Sequence, residues 1–170
     1  KYLSSTPPTM SKTALVVVAQ GSEEMETVIT VDMLRRGGLV CHLSDIKKQN
    51  SSTHTEMITF QVVLPGGLEG SERFAKSNVV GTLLKDHEKN GKIVAAICAA
   101  PAFAFVAHGV GVGKRITSYP STKEKVTGDY TYVEGERVVV DGNLVTSRIM
   151  TITSSLMGEA LSPSVYCYWL

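Results

Sequence analysis

Short apolar runs at residues 14–19, 39–43, 60–64 and 92–97 alternate with stretches of helical periodicity at 23–36, 71–89 and 99–108. A chain patterned this way has few options. Runs of five or six largely apolar residues suit strands buried on both faces, and intervening helices supply the crossovers that parallel strands need. The pattern predicts an α/β architecture with a parallel sheet and right-handed connections. In 71–89, Phe74, Val79, Val80, Leu83 and Leu84 form an apolar stripe opposed by Lys76, Lys85, Asp86 and Glu88. Lys114–Thr117 reads as another short strand. Tyr130–Glu134, Arg137–Val140 and Leu144–Ser147 read as an antiparallel meander turning at Glu134-Gly135 and Asp141-Gly142. A chain of 170 residues, 43% hydrophobic, can bury one sizeable core.

The run Ile93–Ile97 ends at Cys98, followed by Ala99, Ala100 and Pro101. Small residues allow a sharp strand-to-helix bend, and proline suits the first turn of the next helix. A thiol there meets the unpaired N–H groups of a helix start, which stabilise a thiolate and lower its pKa. The same pattern also suits a buried structural cysteine, and the local sequence leaves both readings open.

Two further strand ends bear on Cys98. Gln61–Leu64 runs into Pro65-Gly66-Gly67, where backbone N–H groups can approach a ligand with no Cβ in the way, as in an oxyanion hole. An ordinary strand-to-helix turn explains the glycines equally well. Gly66-Gly67-Leu68-Glu69-Gly70 is not the G-x-G-x-x-G fingerprint, so a dinucleotide cofactor is set aside. After Ala14–Ala19 comes Gln20-Gly21-Ser22, with Ser22 as candidate N-cap of a helix opening on Glu23, Glu24 and Glu26. Glu23 and Glu24 suit the helix dipole. Glu26 either adds to that surface charge or points inward across the C-terminal edge of the sheet, where functional loops of an open α/β fold converge, and the local sequence leaves both readings open.

Composition narrows the classes. A net charge of +1, with no basic patch interleaved with aromatics, gives no electrostatic case for direct nucleic-acid or membrane binding. No apolar run approaches the roughly 20 residues that span a bilayer. The three cysteines, Cys41, Cys98 and Cys167, are odd in number and lack metal-ligand spacing. They are expected to be reduced thiols in an intracellular compartment, with no metal and no cofactor. Cys41 is expected in the core.

Taken together, Gly21–Thr27, Val62–Gly67 and Ala95–Pro101 resemble the ThiJ/PfpI superfamily, and within it the protein deglycase branch. The likeness continues through Thr117–Pro120, Tyr130–Val133 and Asp141–Arg148, covering roughly residues 13–44 and 60–148. It implies a flavodoxin-like three-layer sandwich with a mostly parallel central sheet and an antiparallel hairpin extension. It also implies a cofactor-independent glyoxalase or deglycase acting on methylglyoxal or its thiol and amine adducts, with a role in the oxidative-stress response. Cys98 corresponds to the family's nucleophile, and Glu26 to the acid whose protonated side chain hydrogen-bonds the sulfur. Gly66, Gly67 and Ala99 correspond to the pocket and oxyanion positions. The alternatives are a redox sensor and chaperone in which Cys98 is oxidised to sulfinate, or an inactive splice variant. The resemblance further implies a homodimer in the cytoplasm, the mitochondrion or the nucleus.

Several positions depart from the family. Tyr119 stands where many members of the branch carry a histidine; its phenol donates a hydrogen bond but is a poor base near neutral pH. Ala99 occupies the place of a histidine found in Cys-His hydrolases of the superfamily, which argues against protease action. His42, His54, His87 and His108 match no catalytic position and are expected at the surface or at helix ends. The segment 44–60 is shorter than usual, without the family's second cysteine and pocket arginine, and 149–170 forms a divergent tail after the domain at 12–148. Residues 1–11 are basic and rich in Ser, Thr and Pro, and are expected to be an extension outside the fold, in the manner of a trimmed mitochondrial transit segment.

Overall fold

The computed structural model describes residues 12–46, 61–126 and 128–149. The expectations for the extension at 1–11, for most of the short segment 44–60, for the tail, and for His54 and Cys167 lie outside those residues. The strands are β1 (Thr13–Val18), β2 (Val40–Asp45), β3 (Gln61–Leu64), β4 (Ile93–Ile97), β5 (Arg115–Ile116), β6 (Thr131–Tyr132), β7 (Val138–Asp141) and β8 (Leu144–Ser147). Six of them form one sheet in the order β2-β1-β3-β4-β8-β7, parallel throughout except for the antiparallel β7–β8 edge. This is the mostly parallel sheet with a hairpin extension that the sequence implies.

Alternation along each strand builds two cores. Leu15 and Val17 of β1, Val62 and Leu64 of β3, and Val94 and Ala96 of β4 face one side, with Phe74, Val80, Leu84 and Phe105. Ala14, Val16, Val63, Ala95 and Ile97 face the other, with Leu34, Leu39 and Cys41. Helix α1 (Glu24–Arg36) therefore covers one face. Helices α2 (Leu68–Lys76) and α3 (Asn78–Lys89), with a π-helical turn Pro101–Phe105 running into α4 (Val106–His108), cover the other. That is the three-layer sandwich. Cys41 sits in the core as expected.

Three local expectations are corrected. The helix expected over 71–89 is two helices, α2 and α3, because Ser77 adopts extended geometry and its hydroxyl caps α3 by accepting the Val80 N–H at 3.3 Å. The break rotates the apolar stripe, so Val80 and Leu84 are fully buried while Val79 is exposed. Ser22 does not cap α1. Its hydroxyl accepts from Ala19 N–H, and Glu23 is the cap, its carboxylate accepting the Glu26 N–H at 2.7 Å. The three-stranded meander is instead one hairpin. β6 pairs in parallel with β5, the Thr131 and Val133 N–H groups bonding Lys114 and Ile116 carbonyls, and only β7 and β8 turn back on each other, at Gly142 with its positive φ. His87 and His108 stand at helix ends as expected, in the last turns of α3 and α4; His87 is buried with its ring bonded to the Leu83 carbonyl, and His108 is half-buried against the Phe74 carbonyl.

β1, β3 and β4 are adjacent and in register, with Val16 beside Val63 and Val63 beside Ala95. Parallel neighbours end on the same edge. The segments after these strands, at Gly21–Glu26, Pro65–Gly67 and Cys98–Ala99, are thereby delivered to one place.

Candidate active site

Cys98 is the only described non-glycine residue with positive φ, at 59°. A bulkier backbone conformation of this kind costs about 1–3 kcal/mol and persists only where the surroundings hold it. They do so from both sides. The Cys98 N–H donates to the Ser147 carbonyl at 2.8 Å, and its own carbonyl accepts from the Tyr119 N–H at 2.7 Å. β8 and the loop after β5 therefore act as a clamp on the turn. Buried Ala99 and Ala100 leave room for it, and Pro101 opens the helical turn that follows.

Glu26 reaches the same point from the first turn of α1. It is only 4% exposed, and one carboxylate oxygen accepts the Gly66 N–H at 2.7 Å. Its carboxyl group is also hydrogen-bonded to the Cys98 sulfur. Gly66 is essential to this contact in a purely spatial sense: a Cβ there would lie 2.5 Å from both the Cys98 Cβ and Glu26 Oε2. The oxyanion role expected for the Gly66 N–H is corrected, because that donor is already taken by Glu26. The donors that do reach the sulfur are the backbone N–H groups of Gly67 and Ala99. Tyr119 contributes its backbone to the clamp, while its side chain is 45% exposed.

The electrostatics differ from the simple expectation of an acidified thiol. Burial, then the Glu26 charge, pushes the Cys98 thiol up to about 11, against the downward pull of the Ala99 and Gly67 N–H groups. Burial also raises Glu26, with the Glu23 charge adding to it and the Gly66 hydrogen bond opposing. Two raised acids in contact titrate as a pair, and the pair resists carrying two charges. When the proton sits on Glu26, its repulsion of the sulfur disappears and its O–H becomes a donor to the thiolate. The site is thus built to hold one negative charge and one movable proton.

A consequence for stability follows. Glu26 has a folded-state pKa above its unfolded value of about 4.3, so its contribution to stability is whole below that value and is lost as pH rises through the folded pKa. Thermal melts from pH 4 to 7 should show Glu26→Gln gaining stability over the wild type as pH rises. A difference that stays flat or shrinks would contradict the buried, destabilised carboxyl.

Sequence reasoning did not find the residues that hold the site in shape. Ser147 has no signal of its own, because its part is a main-chain carbonyl delivered by the β4–β8 pairing, in which it lies beside Ile97. Glu23, expected only to complement the helix dipole, also caps the Glu26 N–H and so fixes where that residue starts. Among the described residues, no group of three or more His, Cys, Asp or Glu could hold a metal ion.

Comparison with known proteins agrees with this fold. The model of the DJ-1/PfpI family matches residues 12–162. Protein dj-1beta of Drosophila melanogaster is 44% identical over 154 residues, 82% of either chain. The glutathione-independent glyoxalase DJR-1.2 of Caenorhabditis elegans is 31% identical over 157 residues, spanning 81% of this chain and 80% of that protein. Among solved structures, the crystal structure of Drosophila melanogaster DJ-1beta superposes with a TM-score of 0.83 at 38% identity, covering 89% of this chain and 91% of that one.

Proposed function

The chain belongs to the DJ-1/PfpI family, and from that premise we propose that it is a cysteine-dependent glyoxalase and deglycase that acts, without a cofactor, on methylglyoxal or its thiol and amine adducts. The observation that carries this reading is the contact between the Cys98 sulfur and the buried Glu26 carboxyl at a strained turn, with the Gly67 and Ala99 N–H groups on the same sulfur. The relative named as a glutathione-independent glyoxalase supports the reaction class.

The chemistry divides between these groups. With its proton on Glu26, the pair presents a thiolate, which adds to the aldehyde carbon of methylglyoxal. The resulting oxyanion takes the proton from Glu26 to give a hemithioacetal. The Gly67 and Ala99 N–H groups, which reach the sulfur, are the donors assigned to that oxyanion. Glu26, now a carboxylate, removes the proton from the former aldehyde carbon and returns it to the neighbouring one, while the hydroxyl proton passes to the former ketone oxygen, converting the hemithioacetal to the thioester of lactate. Water then cleaves the thioester, releasing lactate and restoring the thiol. The net change is addition of one water to the dicarbonyl, with no external oxidant or reductant.

The test is conversion of methylglyoxal to lactate by the purified chain in the absence of glutathione. Cys98→Ala is expected to abolish it, and iodoacetamide should modify Cys98, which is half-buried, faster than Cys41, which is buried in the core. Turnover that survives Cys98→Ala would end the proposal. The second reading, a redox sensor, draws on the same N–H donors, which suit sulfinate oxygens. It requires peroxide to oxidise Cys98 ahead of Cys41.

A further inference from the structure

A second group of side chains, unused by that chemistry, lines a cavity of about 510 Å³: Tyr119, Pro120, Arg137, Arg148 and Ile149 among the described residues. Its walls come from the two segments that clamp the Cys98 backbone. Tyr119 holds the Cys98 carbonyl, and Arg148 directly follows Ser147, whose carbonyl holds the Cys98 N–H. Arg137 is brought to the same end of the β7–β8 hairpin, since its carbonyl accepts both the Arg148 N–H at 3.0 Å and the Ser147 hydroxyl at 3.2 Å. The cavity is therefore anchored to the nucleophile's own turn.

Its charge is unbalanced. Arg73 pairs with Glu69 at 2.7 Å and Arg115 lies 3.9 Å from Asp141, whereas Arg137 and Arg148 form no ion pair with a described residue. Glu134, the acid that Arg148 influences, is committed to Lys123 at 2.5 Å; that hydrogen bond, and to a smaller degree the Arg148 charge, holds its carboxyl below the usual range. Two guanidinium groups, each a planar fork of donors, and a phenol line the cavity, with Pro120 and Ile149 as apolar wall. Guanidinium groups match the two oxygens of a carboxylate, and such charge-assisted bonds are the stronger kind.

We infer that this cavity is a carboxylate subsite, in which Arg137 and Arg148 bind the acid end of a dicarbonyl substrate whose aldehyde end meets Cys98. The inference rests on the dicarbonyl reading above and extends it from neutral methylglyoxal to acidic 2-oxoaldehydes. Both lobes of such a substrate are served by one backbone clamp, so the distance between them is set by the β4–β8 register.

Two measurements on the full chain test it. The first is binding of 4-oxopentanoate and of its methyl ester, followed by NMR; neither carries an aldehyde, so neither needs turnover. The acid should bind about tenfold more tightly than the ester, and Arg148→Gln and Arg137→Gln should each bring that ratio towards one, as loss of one charge-assisted bond implies. The second is kcat/KM for 4,5-dioxopentanoate against its methyl ester, with the same ratio and the same collapse expected. Equal binding of acid and ester, or a preference untouched by both substitutions, overturns the subsite. Acid preference in binding without any dicarbonyl turnover would keep the subsite and overturn the glyoxalase reading. Turnover of both compounds without acid preference would do the reverse.

Discussion

Glu26→Gln is expected to lower methylglyoxal turnover by about 10²-fold or more, the usual worth of a positioned acid-base group, while iodoacetamide reactivity of Cys98 stays within about tenfold of wild type. The two readouts separate because the amide mimics one state of the carboxyl and not the other. In the variant, the amide oxygen can still accept the Gly66 N–H, as Glu26 does at 2.7 Å, and the amide N–H can still donate to the sulfur. The thiolate keeps its partner. The movable proton is gone, however, and with it the means of transferring hydrogen between the two carbons of the hemithioacetal. Parallel measurement of alkylation rate and lactate production decides the matter. Retained turnover would remove Glu26 from the proton transfer, and a collapse of both readouts would reduce it to a partner of the thiolate.

Gly67→Ala should destabilise the chain by about 3 kcal/mol or more, a large share of the roughly 5–15 kcal/mol that holds a domain of this kind together. Two independent costs add. Gly67 has φ +90°, a conformation whose strain for an L residue is on the order of 1–3 kcal/mol. A Cβ would also strike the Gly21 carbonyl oxygen and lie 2.6 Å from the Glu23 nitrogen, where the overpacking cost is again about 1–3 kcal/mol. Both obstacles are main-chain atoms, so no rotamer relieves them. They are tied to the same region by the Glu23 N–H to Gly66 carbonyl bond and the Gly70 N–H to Gly21 carbonyl bond, each 3.0 Å. Gly38→Ala is the control, since Gly38 has φ +82° but nothing within 4 Å of the added carbon. Urea unfolding of the two variants would separate strain from crowding. If Gly67→Ala proved no more costly than Gly38→Ala, the close approach of the β1 and β3 loops would be refuted.

The sheet was legible in the sequence because strands buried on both faces carry mostly apolar residues, and β1, β3 and β4 lie within two residues of the expected runs. The candidate cysteine was legible for a related reason: Cys98 is the point where such a run meets small residues and a proline. Periodicity was a poorer guide to the helix at 71–89, since a single serine hydroxyl at Ser77 reset the register without interrupting the apolar pattern. It was poorest for β6, whose two residues pair with β5 through contacts that neither segment encodes alone.

The site divides along the same line. The residue types, Cys98, Glu26 and the glycine pair, were determined by the sequence, because each sits beside a local pattern that only a strand end or helix start explains. Their mutual chemistry was decided by the tertiary structure. Whether the Gly66 N–H faces a ligand or Glu26, whether Glu26 is dry enough to hold a proton, and whether the thiol is pulled down or pushed up depend on distances between chain segments tens of residues apart. Hydrogen bonds and desolvation act over a few ångströms, and only the folding of parallel strands onto one edge brings those groups within that range.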